Sequence, residues 1–412
     1  MTEQAADRTD GERATSRTDL TAAAAPPGRT ALPSAGQRRT RWLLSGYFAG
    51  QGVIMATWAT RLPAVKEAVG LTPGALSLAL LAASAGMISM LPVGGRVAER
   101  ARGTGRLMLG AAVVLGATLI VLGQVRSFGS LVVAAAVFGA GQGLLNVPLN
   151  IASVACQTAY GRPIMSTLHA CYSLGAVTTA GIATATASLS HALVYTVVGV
   201  AVVTAALAAA PLILSLTVAD GPAPGAEPAV HHRRTVWIIG LMVTGGLIAE
   251  GTALDWSAVY VRSLGSSPTT AAAAYFLYGG GMAAGRLLGD TLTARIGPAA
   301  LLRTGTLLAA TGLGAGIAAG SGPVAVPAAL AGWGLLGLGL APVLPLLFSS
   351  AGTHGPRALA SVSTIGNVGM LGGPAVVGAL ATATSLPLAL TLPVLLAATL
   401  AACSGAAVRG RG

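Results

Sequence analysis

The chain has 412 residues, 54% of them apolar and only 9% charged, with 24 basic against 12 acidic side chains. So few charges cannot cover the surface of a soluble protein of this length, so lipid is the solvent for most of it. The net charge of +12 does not mark a nucleic-acid binder, because the basic residues gather at the ends of apolar segments instead of forming one patch.

Residues 1–40, rich in Thr, Ala, Asp, Arg and Pro with no apolar period, read as a disordered cytoplasmic tail. The first apolar run opens at Trp42 and continues for a full span, which argues against a cleaved signal peptide. A run of about twenty apolar residues crosses ~30 Å of hydrocarbon as a helix. Twelve such spans are predicted, six in each half: 42–62, 74–95, 106–125, 128–151, 164–187 and 192–216, then 236–260, 270–290, 299–320, 324–350, 359–382 and 386–408. The halves are expected to be two bundles, 41–216 and 236–408, joined by a linker at 217–235 and followed by a short tail at 409–412.

Polar groups inside a span are costly and are functional candidates by default. On the first span these are Gln51, Trp58 and, near its outer end, Arg61. The second ends in Gly95-Arg96-Val97-Ala98-Glu99-Arg100. On the fourth, Gln142, Asn146 and Asn150 fall at i, i+4 and i+8, one slowly drifting helical face. That stripe either hydrogen-bonds a polar solute or ties the helix to its neighbours. The fifth carries His169, a pH-sensitive group or a satisfied buried histidine, and Tyr172. Cavity roles for Trp58, Tyr172 and Trp256 stand against packing or lipid-facing roles, and Asn367 on the eleventh span is a further cavity candidate.

The seventh span holds Glu250 and Asp255, the only carboxylates in interior positions away from the cytoplasmic edge. Counted from Trp42 and Trp237 at ~1.5 Å per residue, Arg61 and Asp255 reach the same depth, ~27–29 Å, and could meet as an outer gate. Glu250 lies at ~20 Å with no counter-ion evident at its depth. A carboxylate there can take up and release a proton as its access to water changes, the chemistry of proton coupling, or it can stay protonated on a backbone carbonyl. The eighth span ends in Gly285-Arg286-Leu287-Leu288-Gly289-Asp290, with Arg295 beyond; Arg286 and Asp290 can pair as i, i+4 neighbours. With Arg96, Glu99 and Arg100 they form either a topology signal or a cytoplasmic latch between the halves.

The halves repeat one another. Arg38-Arg39-Thr40-Arg41-Trp42 recurs as Arg233-Arg234-Thr235-Val236-Trp237, and G-x-[ST]-P-x12-G-M-x6-G-x5-R runs from Gly70 to Arg100 and again from Gly265 to Arg295. Internal repeats in an apolar chain suit a transporter in which two bundles rock around a site between them. With both termini inside, 20 basic residues face the cytoplasm and four (Arg61, Lys66, Arg126, Arg262) face outward, as the positive-inside rule requires of a plasma-membrane protein. Gly332-x-Gly334-x-x-Gly337 fits a dinucleotide fingerprint but sits inside a span with no preceding strand, and no Walker A or H-E-x-x-H sequence occurs. Cys156, Cys171 and Cys403 show no metal spacing and read as free thiols; no cofactor is implied.

Twelve spans in two parallel repeats, with a G-R-x-A-E-R cluster after the second and its echo after the eighth, resemble the major facilitator superfamily over about 42–408. Ala56-Thr57-Trp58-Ala59-Thr60-Arg61-Leu62-Pro63, Gly161-Arg162-Pro163-Ile164-Met165-Ser166 with His169 and Ser173-Leu174-Gly175, and Glu250-Gly251 with Asp255-Trp256 resemble a bacterial inner-membrane branch distantly similar to the fucose permease group. The resemblance implies an all-α membrane fold of two six-helix bundles about a pseudo-two-fold axis. It implies no enzyme, but a monomeric secondary transporter moving a small polar or amphipathic solute by alternating access with protons, as efflux or uptake. That branch often has a carboxylate where this chain has Asn146, which leaves coupling here to Glu250 or to none. A non-transporting sensor or scaffold on the same fold is the alternative.

Overall fold

The computed structural model describes residues 33–100, 103–186, 188–216 and 230–407, and the statements below concern those residues. Pro33 and Ser34, the described end of a separate unit, are not helical; from Ala35 onward the described residues form fifteen helices and no strand. The first half contains α1 (Ala35–Val69), α2 (Pro73–Ala98), α3 (Gly103–Gly123), α4 (Phe128–Tyr160), α5 (Met165–Ala185), and α6 (His191–Ala208) followed by α7 (Ala210–Leu214). The second contains α8 (Val230–Ser263), α9 (Pro268–Ile296), α10 (Pro298–Ala318), α11 (Ala325–Leu340) with α12 (Val343–Gly352), α13 (Pro356–Ala383), and α14 (Leu386–Ala389) with α15 (Thr391–Ala407). These are the twelve predicted spans with the sixth, tenth and twelfth each broken once. Pro211, Pro342 and Pro387 stand at or just after those breaks or in the short helix beside them, where a missing N–H costs least.

The ends differ from the prediction. Residues 35–40 of the predicted tail already belong to α1, and 230–235 of the predicted linker to α8. The rest of those segments, 1–32 and 217–229, and the tail at 409–412 lie outside the described residues.

The repeated G-x-[ST]-P motif is a helix-to-helix turn. Gly70 and Gly265 take positive φ (69° and 84°), which closes the preceding helix at little steric cost. Thr72 and Ser267 then cap the next helix, accepting from the Ala75 and Thr270 amides, and Pro73 and Pro268 occupy its first turn.

Packing repeats as well. α1 packs on α5, α2 on α4 and α3 on α6; α8 packs on α13, α9 on α11 and α10 on α15. Two six-helix bundles related by a pseudo-two-fold axis result. Lipid tails are as apolar as the helices, so close van der Waals contact must hold each bundle. A Cβ on Gly86 would lie 2.1 Å from the Ala136 carbonyl oxygen of α4, and one on its repeat partner Gly281 2.2 Å from that of Gly334 on α11.

Trp42 and Trp237, at matching positions of the repeat, are exposed near the starts of α1 and α8, where aromatic side chains mark a membrane boundary. The face on which α1 and α8 begin is termed the terminal face, its opposite the distal face. Eight spans are long and apolar enough to cross a membrane by composition alone. The remaining four are α1, α5, α9 and α13, which carry Gln51 and Arg61, His169 and Ser173, Arg286 and Asp290, and Asn367.

Candidate functional site

The bundles meet through α2 with α13, α5 with α9, and α4 and α5 with α12, whereas α1 and α8 make no comparable contact. Near the terminal face Asp290 of α9 accepts from the Ser166 and Thr167 amides at 2.9 and 2.8 Å, and from the Thr167 hydroxyl, at the start of α5. Those amides have no partner within their own helix, and the positive end of the helix dipole favours the carboxylate. Gln157 of α4 donates to Ser349 of α12 at 2.6 Å, and Arg357 at the start of α13 pairs with Glu99 at the end of α2 at 2.8 Å. Gly95 allows α13 to approach: a Cβ there would lie 2.6 Å from that of Ala360. These side-chain bonds join the bundles at the terminal side.

One turn deeper, Arg286 of α9 donates to the Ser173 hydroxyl of α5 at 2.7 Å, crossing between the bundles. Its Nη2 lies 3.8 Å from Glu250 Oε1 of α8. Helix rise places Ser173 ~12 Å from the start of α5, Arg286 ~15 Å from the end of α9 and Glu250 ~20 Å beyond Trp237, all near mid-membrane. The arginine is buried while 22% of the Glu250 side chain is exposed. Tyr172 and Tyr278 both lie within electrostatic reach of this pair. On α4, Gln142 accepts from Gln51 of α1 at 3.0 Å, and the Asn150 amide folds back onto the Asn146 carbonyl at 2.8 Å. Gln142 Nε2, Asn146 Oδ1, Asn150 Oδ1, His169 Nε2, Tyr278 Oη and Arg286 Nε are buried without a hydrogen-bond partner. Such groups are ordinarily satisfied by ordered water or a ligand, and both bundles contribute them.

Three expectations need correction. Glu250 does have a counter-ion, Arg286, which a count along single helices could not bring to it. Arg286 is therefore an interior residue and not part of a terminal latch. It does not pair with Asp290, because Glu250 and Ser173 draw it one way and the open amides of α5 draw Asp290 the other. Trp58 is buried and stacked on Phe138 at 5.2 Å inside the first bundle, so it belongs to the core and not to the cavity.

Of the remaining predicted residues, His169 sits between Phe48 of one bundle and Phe348 of the other, with ring centroids 4.9 and 6.3 Å away. Trp256 packs near Gly378 of α13 with its indole N–H unpartnered, and Asn367 donates to the Ser363 carbonyl on its own helix. Arg61 donates to the carbonyl and hydroxyl of Thr186 at 2.9 and 2.7 Å, while Asp255 is exposed and bonds to none of the described residues, so the two do not pair in this state. Arg96, Arg100 and Arg295 are exposed at the terminal face without side-chain bonds among the described residues. Ser173, noted only as part of a family-like motif, and Tyr278 were given no site role from the sequence. Ser173 lies one turn from His169, and Tyr278 two turns from Arg286, so a search along helical faces would have found both.

Two membrane-spanning bundles meeting at a polar centre define a membrane transporter. The family model of the Major Facilitator Superfamily matches residues 43–354, and the chain belongs to that superfamily. An uncharacterized MFS-type transporter of Yersinia pestis is 34% identical over 345 residues, 79% of this chain and 84% of the relative. An uncharacterized transporter of Sinorhizobium fredii is 30% identical over 322 residues, 77% and 84% of the two chains. The crystal structure of the transporter FucP in its outward conformation superposes with a TM-score of 0.76 at 16% identity, covering 91% of this chain and all of the other.

Proposed function

We propose that this transporter couples the movement of a small polar solute to protons, with Glu250 as the proton-carrying group and the plasma (inner) membrane as its site. The observation that carries the reading is a partly exposed carboxylate at mid-membrane beside a buried arginine whose one short hydrogen bond reaches the opposite bundle. An ionised Glu250 draws Arg286 toward α8, and a protonated Glu250 releases it to Ser173 of α5. Protonation thereby alters the contact that joins the bundles at their centre, which is what coupling requires. The unpartnered groups of α4, α5 and α9 supply donors and acceptors for the solute. The chain acts as a monomer with both termini in the cytoplasm. Charge distribution supports that orientation: with Arg286 moved to the interior, 19 basic residues remain on the inside against four outside.

The test is transport by purified protein in liposomes. Glu250→Gln is expected to abolish accumulation driven by a pH gradient while leaving downhill exchange of the same solute within about threefold of wild type. Uphill, pH-driven accumulation in that variant would refute the assignment.

A further inference from the structure

We infer that the transported solute carries a carboxylate and that Arg286 is the residue that recognises it, an inference that rests on Glu250 being the proton-carrying group. A guanidinium has five N–H donors in a fixed planar fork. Only one of Arg286's is used at hydrogen-bond distance among the described residues, the Nη1 bond to Ser173. Nη2 has its carboxylate neighbour at 3.8 Å, too far for a hydrogen bond, and Nε is buried without any partner. Nε and Nη2 lie along one edge of the guanidinium, with their N–H bonds parallel. That edge matches the two oxygens of a carboxylate, and it is the edge left vacant here.

A buried arginine so poorly satisfied is costly unless something completes it. Glu250 reaches the edge with one oxygen and does not close the fork. No second carboxylate is among the groups found within electrostatic reach of Arg286: Tyr172 and Tyr278 are phenols, His169 is a buried imidazole that cannot supply negative charge, and the unpaired atoms of Gln142, Asn146 and Asn150 on α4 are amides. They suit the hydroxyl or carbonyl groups of a solute whose acid end is held by Arg286.

The charge balance gives the coupling its stoichiometry. One arginine compensates one carboxylate. When a solute anion takes the fork, Glu250 would remain as an unpaired buried charge unless it binds a proton, so anion and proton load together, one of each, with no net charge moved. Carboxylate binding should therefore compete with ionised Glu250 for the same guanidinium.

The experiment uses the full chain purified in detergent and follows its melting with three matched pairs: gluconate and glucose, lactate and lactamide, benzoate and benzamide. At least one carboxylate is expected to stabilise the protein, with its neutral counterpart binding tenfold more weakly or worse. Arg286→Lys, which keeps the charge but loses the fork, should cost that carboxylate at least tenfold in affinity, whereas Glu250→Gln should raise it several-fold by removing the competitor. Gel filtration checks that each variant is intact, and if Arg286→Lys does not fold, the Glu250→Gln arm decides. The proposal is overturned if none of the carboxylates binds, if neutral counterparts bind as well, or if affinity is unchanged in Glu250→Gln. Carboxylate binding without pH-driven uptake of the bound compound would remove the coupling reading and leave recognition by Arg286 standing; pH-driven uptake of a neutral counterpart would do the reverse.

Discussion

Asp290 shows how a single side chain can hold a conformation. It accepts two amides and a hydroxyl from the first turn of α5, in the opposite bundle. Asp290→Asn keeps the shape but removes the charge that makes those bonds strong, and the loss is about 2 kcal/mol for this partly buried carboxylate. Between two states of similar free energy that shifts the population more than tenfold toward opening at the terminal face. A cysteine at Val154, which faces Gly352 across the bundles, should then react several-fold faster with a maleimide in a variant lacking the three native cysteines. Unchanged reactivity in Asp290→Asn would reduce the residue to a marker of topology. The sequence made Asp290 conspicuous as a charge at a helix end, but not its partner. Spacing on one helix offered Arg286 as the neighbour, and only the approach of α5 supplies open amides that outcompete it. Glu250 was legible for the opposite reason. A carboxylate deep in an apolar span is costly and stands out from its composition, whereas Ser173 is one hydroxyl among many and becomes informative only through the arginine it faces.

At the level of helices, the duplication was the most legible property because its physical basis is local. Gly70, Thr72 and Pro73, and again Gly265, Ser267 and Pro268, specify a helix end, a cap and a helix start within a few residues. The pairings of α2 with α4 and α9 with α11 follow from glycines that let backbones touch. Breaks within the sixth, tenth and twelfth spans were not legible, since proline is tolerated in membrane helices and its presence alone does not fix where a helix stops. The glycine contacts yield a sharp test. A methyl group at Gly86 or Gly281 would sit closer than 2.5 Å to a backbone oxygen of the facing helix, where no rotamer change can relieve it. Gly86→Ala and Gly281→Ala should each destabilise their bundle by about 1–3 kcal/mol, seen as a lowered melting temperature, while Gly46→Ala, whose Cβ meets open space, should be neutral. Equal melting of Gly86→Ala and Gly46→Ala would show that the packing is looser than described.

For the molecule as a whole, the side-chain bonds described above between the bundles lie from mid-membrane to the terminal face, and α1 and α8 make no comparable contact with each other. An alternating-access cycle would bring the distal ends of these two helices together when the terminal side opens. Arg61 and Asp255 stand at matching depths on these two helices, and their present surroundings suit a gate that is open. Arg61 rests on Thr186 of its own bundle through neutral acceptors, and Asp255 is exposed. Closure would let Arg61 exchange part of that contact for a charged partner, contributing on the order of 1 kcal/mol in a partly hydrated setting. Asp255→Asn and Arg61→Gln should each shift the population away from a closed distal side. Their combination should shift it by less than the sum, with a coupling term of about 0.5–1 kcal/mol. Thr186→Val, which removes the hydroxyl acceptor and leaves the backbone carbonyl in place, should move the balance part of the way in the opposite direction. The measurement is reactivity of a cysteine placed in the distal mouth of the cavity, compared across the four members of the cycle. Simple additivity would mean that the two charges never meet in either state, and the distal closure would then have to rest on apolar contact between α1 and α8 alone.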